Sequence, residues 1–80
     1  MTRAEITAEL TEIFHDLFGD DDIVLTPQTT ADDVEGWDSI KHISLIVAVE
    51  DRFGIKMKTN EIEGLANVGD LIAKIEEKAG

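Results

Sequence analysis

The sequence has no cysteine, no tyrosine, one proline and one tryptophan in 80 residues. Without cysteine there is neither a disulfide nor a thiolate ligand to hold a structural metal, so the fold must rest on its apolar core. The same absence fits a reducing, intracellular setting. Positive charge is also scarce: 7 Lys and Arg stand against 18 Asp and Glu, for a net charge of −11. The imbalance lies in the first half, where Arg3 is the only basic residue of that kind among residues 1–40. A field of this sign repels nucleic acid and anionic membranes and speeds encounters with basic protein surfaces. No apolar run approaches the roughly 20 residues that cross a bilayer, and the N-terminus lacks the basic and apolar regions of a signal peptide. The expectation is a soluble, cytoplasmic, monomeric protein of one domain, residues 1–80, that binds no nucleic acid, does not insert into membranes and meets protein partners.

What is present is helical periodicity. Thr2 and Glu5 have the spacing of a capping box, and Ile6, Leu10, Ile13, Phe14 and Leu17 recur as one stripe up to Gly19, a natural helix stop. From Asp20 to Asp38 no period is sustained: there is an acidic run, Pro27, and Thr29-Thr30. A loop this long needs anchors, and Ile23, Leu25, Val34 and Trp37 are spaced to supply them. Asp38 can cap a second helix ending at Gly54. Its apolar residues fall in two rows, Ile40-Ile43-Val47 and Ile46-Val49-Phe53, which predicts a central helix contacted from several sides. Thr59–Glu63 predicts a brief helical turn. Asn67 and Asp70 then resemble a capping box before a last helix with Val68, Leu71, Ile72 and Ile75 on its apolar face. No strand pattern occurs. The expected fold is all-α, a four-helix up-and-down bundle with a long loop between helices 1 and 2 and a short third helix.

Three chemistries compete at Ser39, which follows the cap Asp38. Ser39 and His42 share a helix face, as a nucleophile and its base would. No third group orients the histidine, no oxyanion site is evident and no nucleophile-elbow glycines flank the serine, so catalysis is not expected. His42 and His15 read as exposed polar residues. Asp20-Asp21-Asp22 and Asp32-Asp33-x-Glu35 lack the ligand spacing of an EF-hand, so no dedicated metal site is expected. The third chemistry is attachment of an anionic group, which the free N–H groups and positive dipole at a helix start favour.

The stretch Gly36-Trp37-Asp38-Ser39-Ile40, followed by Ile43, Val47, Glu50 and Phe53-Gly54-Ile55, resembles the acyl carrier proteins, as does Val68-Gly69-Asp70-Leu71-Ile72 near the end. The resemblance covers nearly the whole chain. It implies a carrier, not an enzyme: Ser39 holds 4′-phosphopantetheine, delivered from coenzyme A by a phosphopantetheinyl transferase, with Asp38 part of the attachment motif. The arm's thiol would hold an acyl or aminoacyl group as a thioester for partner enzymes with basic docking surfaces. Ile43, Val47 and Ile62 are the candidate lining of an acyl pocket, with core packing as the plainer role for all three. Two positions depart from the family's fatty-acid-synthesis members, which carry acids where this chain has Lys41 and Ser44. Lys41, His42, Glu50 and Asp51 are therefore the residues expected to set docking, and a specialised lipid, polyketide or related pathway is implied. The alternative is an unmodified, carrier-shaped acidic module that acts through protein contacts alone.

Overall fold

The computed structural model describes residues 2–79 and contains, among them, four α-helices and no strand. Helix α1 spans Arg3–Phe18, α2 Ser39–Phe53, α3 Thr59–Glu63 and α4 Val68–Ala79, with one 3₁₀ turn at Ala31–Asp33. The expected all-α fold is thus observed. The 3₁₀ turn inside the long loop is an addition that the sequence did not announce.

Local chemistry explains each boundary. The Thr2 hydroxyl accepts from the Glu5 N–H at 3.1 Å while the Glu5 carboxylate accepts from the Thr2 N–H at 2.8 Å, closing the expected capping box. That pairing, with the Thr2 N–H as its main cause and the Thr2 hydroxyl second, holds the Glu5 carboxyl below its ordinary range. Gly19 and Gly54 end α1 and α2 in the left-handed region, with φ of 64° and 65°, where a side chain would be strained.

Helix α1 is the hub and packs against both α2 and α4. It buries Ile6, Leu10, Ile13 and Phe14; α2 adds Leu45, Ile46 and Val49; α4 adds Val68, Leu71, Ile72 and Ile75. Leu25 and Val34 of the long loop and Ile55 and Met57 after α2 complete the core, with Trp37 half-buried against it. Arg52 near the end of α2 pairs with Glu9 and Glu12 of α1, tying the two helices across the surface.

The expectation that α2 is covered on several sides is corrected. Ile40, Ile43 and Val47 are 77%, 56% and 52% exposed. The reason is geometric: α1 covers one face, and α3, with five residues, is too short to cover the other. One apolar row became core, while its neighbour stayed on the surface.

Candidate functional site

The loop that leads into α2 turns tightly. Gly36 takes φ 89°, the Trp37 N–H donates to the Val34 carbonyl at 3.2 Å, and the Asp38 N–H donates to the Gly36 carbonyl at 3.0 Å. Only a glycine adopts that backbone without strain. The turn drops the Trp37 indole onto the core, edge-on to Phe14 with centroids 5.2 Å apart and 6.4 Å from Phe18. It leaves Asp38 and Ser39 outside.

Asp38 is extended and caps α2: its carboxylate accepts from the Lys41 N–H at 2.8 Å, and its carbonyl accepts from the His42 N–H at 2.8 Å. Ser39 is the first helical residue and is exposed. Among the described residues no hydrogen bond engages its hydroxyl, and the N–H groups of Ser39 and Ile40 have no partner. A free hydroxyl therefore stands beside two free donors at the positive end of a fifteen-residue helix.

A groove of about 590 Å³ runs from Ser39 between α2, α3 and the loop, lined among others by Trp37, His42, Ile43, Ile62 and Leu65. The walls are largely apolar, with Asp38 and Glu63 as the charged residues among those that line it. Ile43 and half-buried Ile62, both expected near such a pocket, meet here. Val47 lies further along the exposed row of α2 and is not part of the lining.

The two histidines depart from expectation. His42 is half-buried: the Trp37 indole N–H donates to its Nδ1 at 3.2 Å, and its Nε2 lies 3.3 Å from the Ile62 carbonyl. His15, also half-buried, places Nε2 2.9 Å from the Ile23 carbonyl and ties α1 to the loop. Neither is the exposed polar residue that the helical pattern suggests. With both ring nitrogens of His42 engaged elsewhere, it does not serve Ser39 as a base.

The remaining docking candidates are placed as follows. Lys41 is half-buried and donates from Nζ to the Leu17 carbonyl at 3.3 Å, at the negative end of α1. The Glu50 carboxylate accepts from the Met57 N–H at 2.9 Å and steadies the linker after α2. Asp51 is exposed on the surface. Ser44, one of the two departures, is exposed as well. Among the described residues no three His, Asp or Glu side chains converge to hold a metal ion.

Sequence reasoning missed Leu65 as a groove wall and His42 as its brace. The sole signal for the brace was the proximity of Trp37 and His42 across a helix start. The Ile62 carbonyl lies 20 residues away and leaves no trace in local spacing.

Comparison with known proteins adds an independent line. Residues 8–75 match a family model described as a phosphopantetheine attachment site. The meromycolate extension acyl carrier protein of Mycolicibacterium smegmatis is 33% identical over 95% of this chain and 77% of its own length. The acyl carrier protein of Thermotoga maritima is 30% identical over 99% of this chain and 98% of its own. The solution structure of the holo acyl carrier protein from Geobacter metallireducens has a TM-score of 0.85 and 44% identity, covering 90% of this chain and 83% of that one.

Proposed function

The chain belongs to the acyl carrier protein family of phosphopantetheine-attachment domains, and from that membership we propose that Ser39 is where the 4′-phosphopantetheine arm is joined. A carrier of acyl groups on phosphopantetheine is what this family makes of the fold, and the present chain is one. When bound, the group supplies the thiol on which cargo is held as a thioester.

The observation that carries the assignment to Ser39 is its exposed, unengaged hydroxyl beside the unpaired N–H groups of Ser39 and Ile40. These residues fit a phosphodiester: the hydroxyl is free to be esterified, and the donors and helix dipole favour its negative charge. Asp38 contributes by fixing the first turn through the Lys41 N–H, so the hydroxyl projects from a rigid start. The groove that opens at Ser39, with Ile43 and Ile62 in its wall, supports sheltering an apolar cargo there.

Family membership entails contact with a phosphopantetheinyl transferase and with acyl-handling enzymes. We read the docking surface as the exposed row Ile40-Ile43-Val47 flanked by Asp51, facing partners with basic rims. Lys41 acts there by leaving an acidic site empty, since its own charge turns back to α1. The whole chain, residues 1–80, is read as one carrier domain. A specialised lipid pathway is supported by Lys41 and Ser44 and by the Mycolicibacterium relative, named for meromycolate extension. Among the described residues no helix is long and apolar enough to cross a membrane.

Incubation with coenzyme A, Mg²⁺ and a broad-specificity transferase, followed by intact-mass analysis, tests the attachment. The expected gain is one phosphopantetheine, abolished by Ser39→Ala. No gain with several transferases would leave an unmodified protein-interaction module as the better account.

A further inference from the structure

We propose that His42 is a positioning residue whose single proton latches Trp37 and α3 together across the groove beside Ser39. Each ring nitrogen of His42 has one partner, and the chemistry of that partner fixes its role. An indole N–H can only donate, so Nδ1 of His42, 3.2 Å from the Trp37 Nε1, must accept. A backbone carbonyl can only accept, so Nε2, 3.3 Å from the Ile62 oxygen, must carry the hydrogen. Both contacts are satisfied by one species alone, the neutral imidazole protonated at Nε2. The ring also lies nearly parallel to the indole, at 25° with centroids 6.0 Å apart, so the two side chains form one packed wall.

A second proton has an unequal effect on the two contacts. Protonated Nδ1 points an N–H at the indole N–H, two donors at 3.2 Å, and that contact must open. The Nε2–H contact with the Ile62 carbonyl becomes charge-assisted and strengthens. Protonation therefore frees the Trp37 wall while keeping α3 tied to α2.

Asp38, at the start of the same helix, and Glu63, from α3, are the acidic residues that line the groove. Lys41 directs its ammonium to the Leu17 carbonyl, and Glu61 of α3 is engaged by Lys74 and Lys78 on the α4 side. The loop and α4 contribute Ala31, Asn67 and Leu71 to the lining and no charge. The latch is a property of the fold and stands whether or not Ser39 carries the arm. Its effect on cargo in the groove rests on the reading of Ser39 given above.

Trp37 is the only tryptophan, which makes it a specific reporter. The ring ¹⁵N shifts of His42 and the water exchange of the Trp37 indole N–H are followed by NMR from pH 8 to 5, in apo and in transferase-loaded protein. At pH 8 the expected species is the Nε2-protonated tautomer with a protected indole N–H. As His42 gains its proton, indole exchange relative to that of a free indole at the same pH should rise roughly five- to tenfold, the equilibrium weight of one net hydrogen bond. The rise should vanish in His42→Phe, which keeps a ring for stacking but cannot titrate, and persist in His15→Gln. An Nδ1-protonated tautomer at pH 8, or an indole response that survives His42→Phe or is lost with His15→Gln, would overturn the latch. If His42→Phe does not fold, the wild-type tautomer and the coincidence of the two titrations decide. Arm attachment is read separately by mass, so its failure is not confused with failure of the latch.

Discussion

Helices α2 and α4 both begin after a loop and a short polar cap, yet one start is open and the other is sealed. At α4 the Val68 N–H donates to the Thr29 carbonyl at 2.8 Å and the Gly69 N–H to the Pro27 carbonyl at 2.9 Å. The Asp70 N–H donates to the Asn67 side-chain oxygen at 2.9 Å, and Leu71 to the Asn67 carbonyl. The first three N–H groups of the helix, those of Val68, Gly69 and Asp70, thereby have partners, and the Leu71 bond is the first within the helix. At α2 the cap Asp38 takes one, its carbonyl takes the next turn's, and Ser39 and Ile40 keep theirs. The difference lies in what the long loop does. Its middle lies over α4 and its end lifts Ser39 clear. The same segment thus builds a structural joint at one helix and leaves a chemical opportunity at the other.

The sharpest way to break the contrast is to put a methyl group on each start. A Cβ on Gly69 would lie 2.8 Å from the Pro27 carbonyl oxygen and 3.2 Å from both Pro27 Cβ and the Asn67 side-chain oxygen. An exposed Gly→Ala in a helix ordinarily gains up to about 1 kcal/mol. Here the backbone oxygen cannot yield without lifting the loop, so Gly69→Ala should instead destabilise by about 1–3 kcal/mol. At roughly 4–8 °C per kcal/mol for a domain of this size, calorimetry reads that plainly. Ser39→Ala, touching nothing, should stay within about 0.5 kcal/mol of wild type while losing the arm entirely. A stabilised Gly69→Ala protein would mean that the joint is loose.

Removing the caps is the next smaller perturbation. Asp38→Ala should cost about 1 kcal/mol, because no loop carbonyl stands ready to replace it. Asn67→Ala should cost less, about 0.5 kcal/mol, because Thr29 and Pro27 still hold the first two donors of α4. Chemical denaturation of the two variants measures the order, and the reverse order would contradict the open-versus-sealed description. Asp38→Ala should also slow arm transfer, whereas Asn67→Ala should not.

These features differ in how far the sequence discloses them. Caps and stripes are local, so Thr2–Glu5, Asp38, Gly19, Gly54 and the buried faces of α1 and α4 could be read directly. The α4 cap was only partly as expected: Asp70 accepts from the Ala66 N–H at 3.0 Å, not from Asn67. Which of the two apolar rows on α2 is covered was not legible, because both rows look alike and the answer depends on how short α3 is. The contacts of Lys41 and the burial of His42 were not legible for a related reason. Their partners, the carbonyls of Leu17 and Ile62, are backbone atoms 24 and 20 residues away that carry no residue-type signal. The proposal at Ser39 could be made from the sequence because it rests on an unbroken stretch, Trp37-Asp38-Ser39, and on the likeness of the whole chain.

The smallest expected effect concerns the far side of α4, where Glu61 extends the sealed joint to α3. Its carboxylate accepts from the Lys58 N–H at 2.9 Å and lies 3.1 Å from Lys78 and 3.4 Å from Lys74. The Lys58 N–H foremost, then the Lys78 and Lys74 ammonium groups, lower its pKa from 4.5 to about 2. A carboxyl whose pKa is depressed on folding binds its proton more readily in the unfolded chain. Its stabilisation is therefore full above pH 4.5 and is lost as pH falls toward 2. Glu61→Gln should melt slightly below wild type at pH 7, and the gap should narrow through pH 4 and 3 as the wild-type carboxylate takes up its proton. Arm transfer to Ser39 should be indifferent to the change, since Glu61 faces α4 and not the open start of α2. A melting difference that is constant from pH 7 to pH 3 would show that Glu61 acts by packing alone. The sealed joint would then end at the first turn of α4, held by Pro27, Thr29 and Asn67 without help from α3.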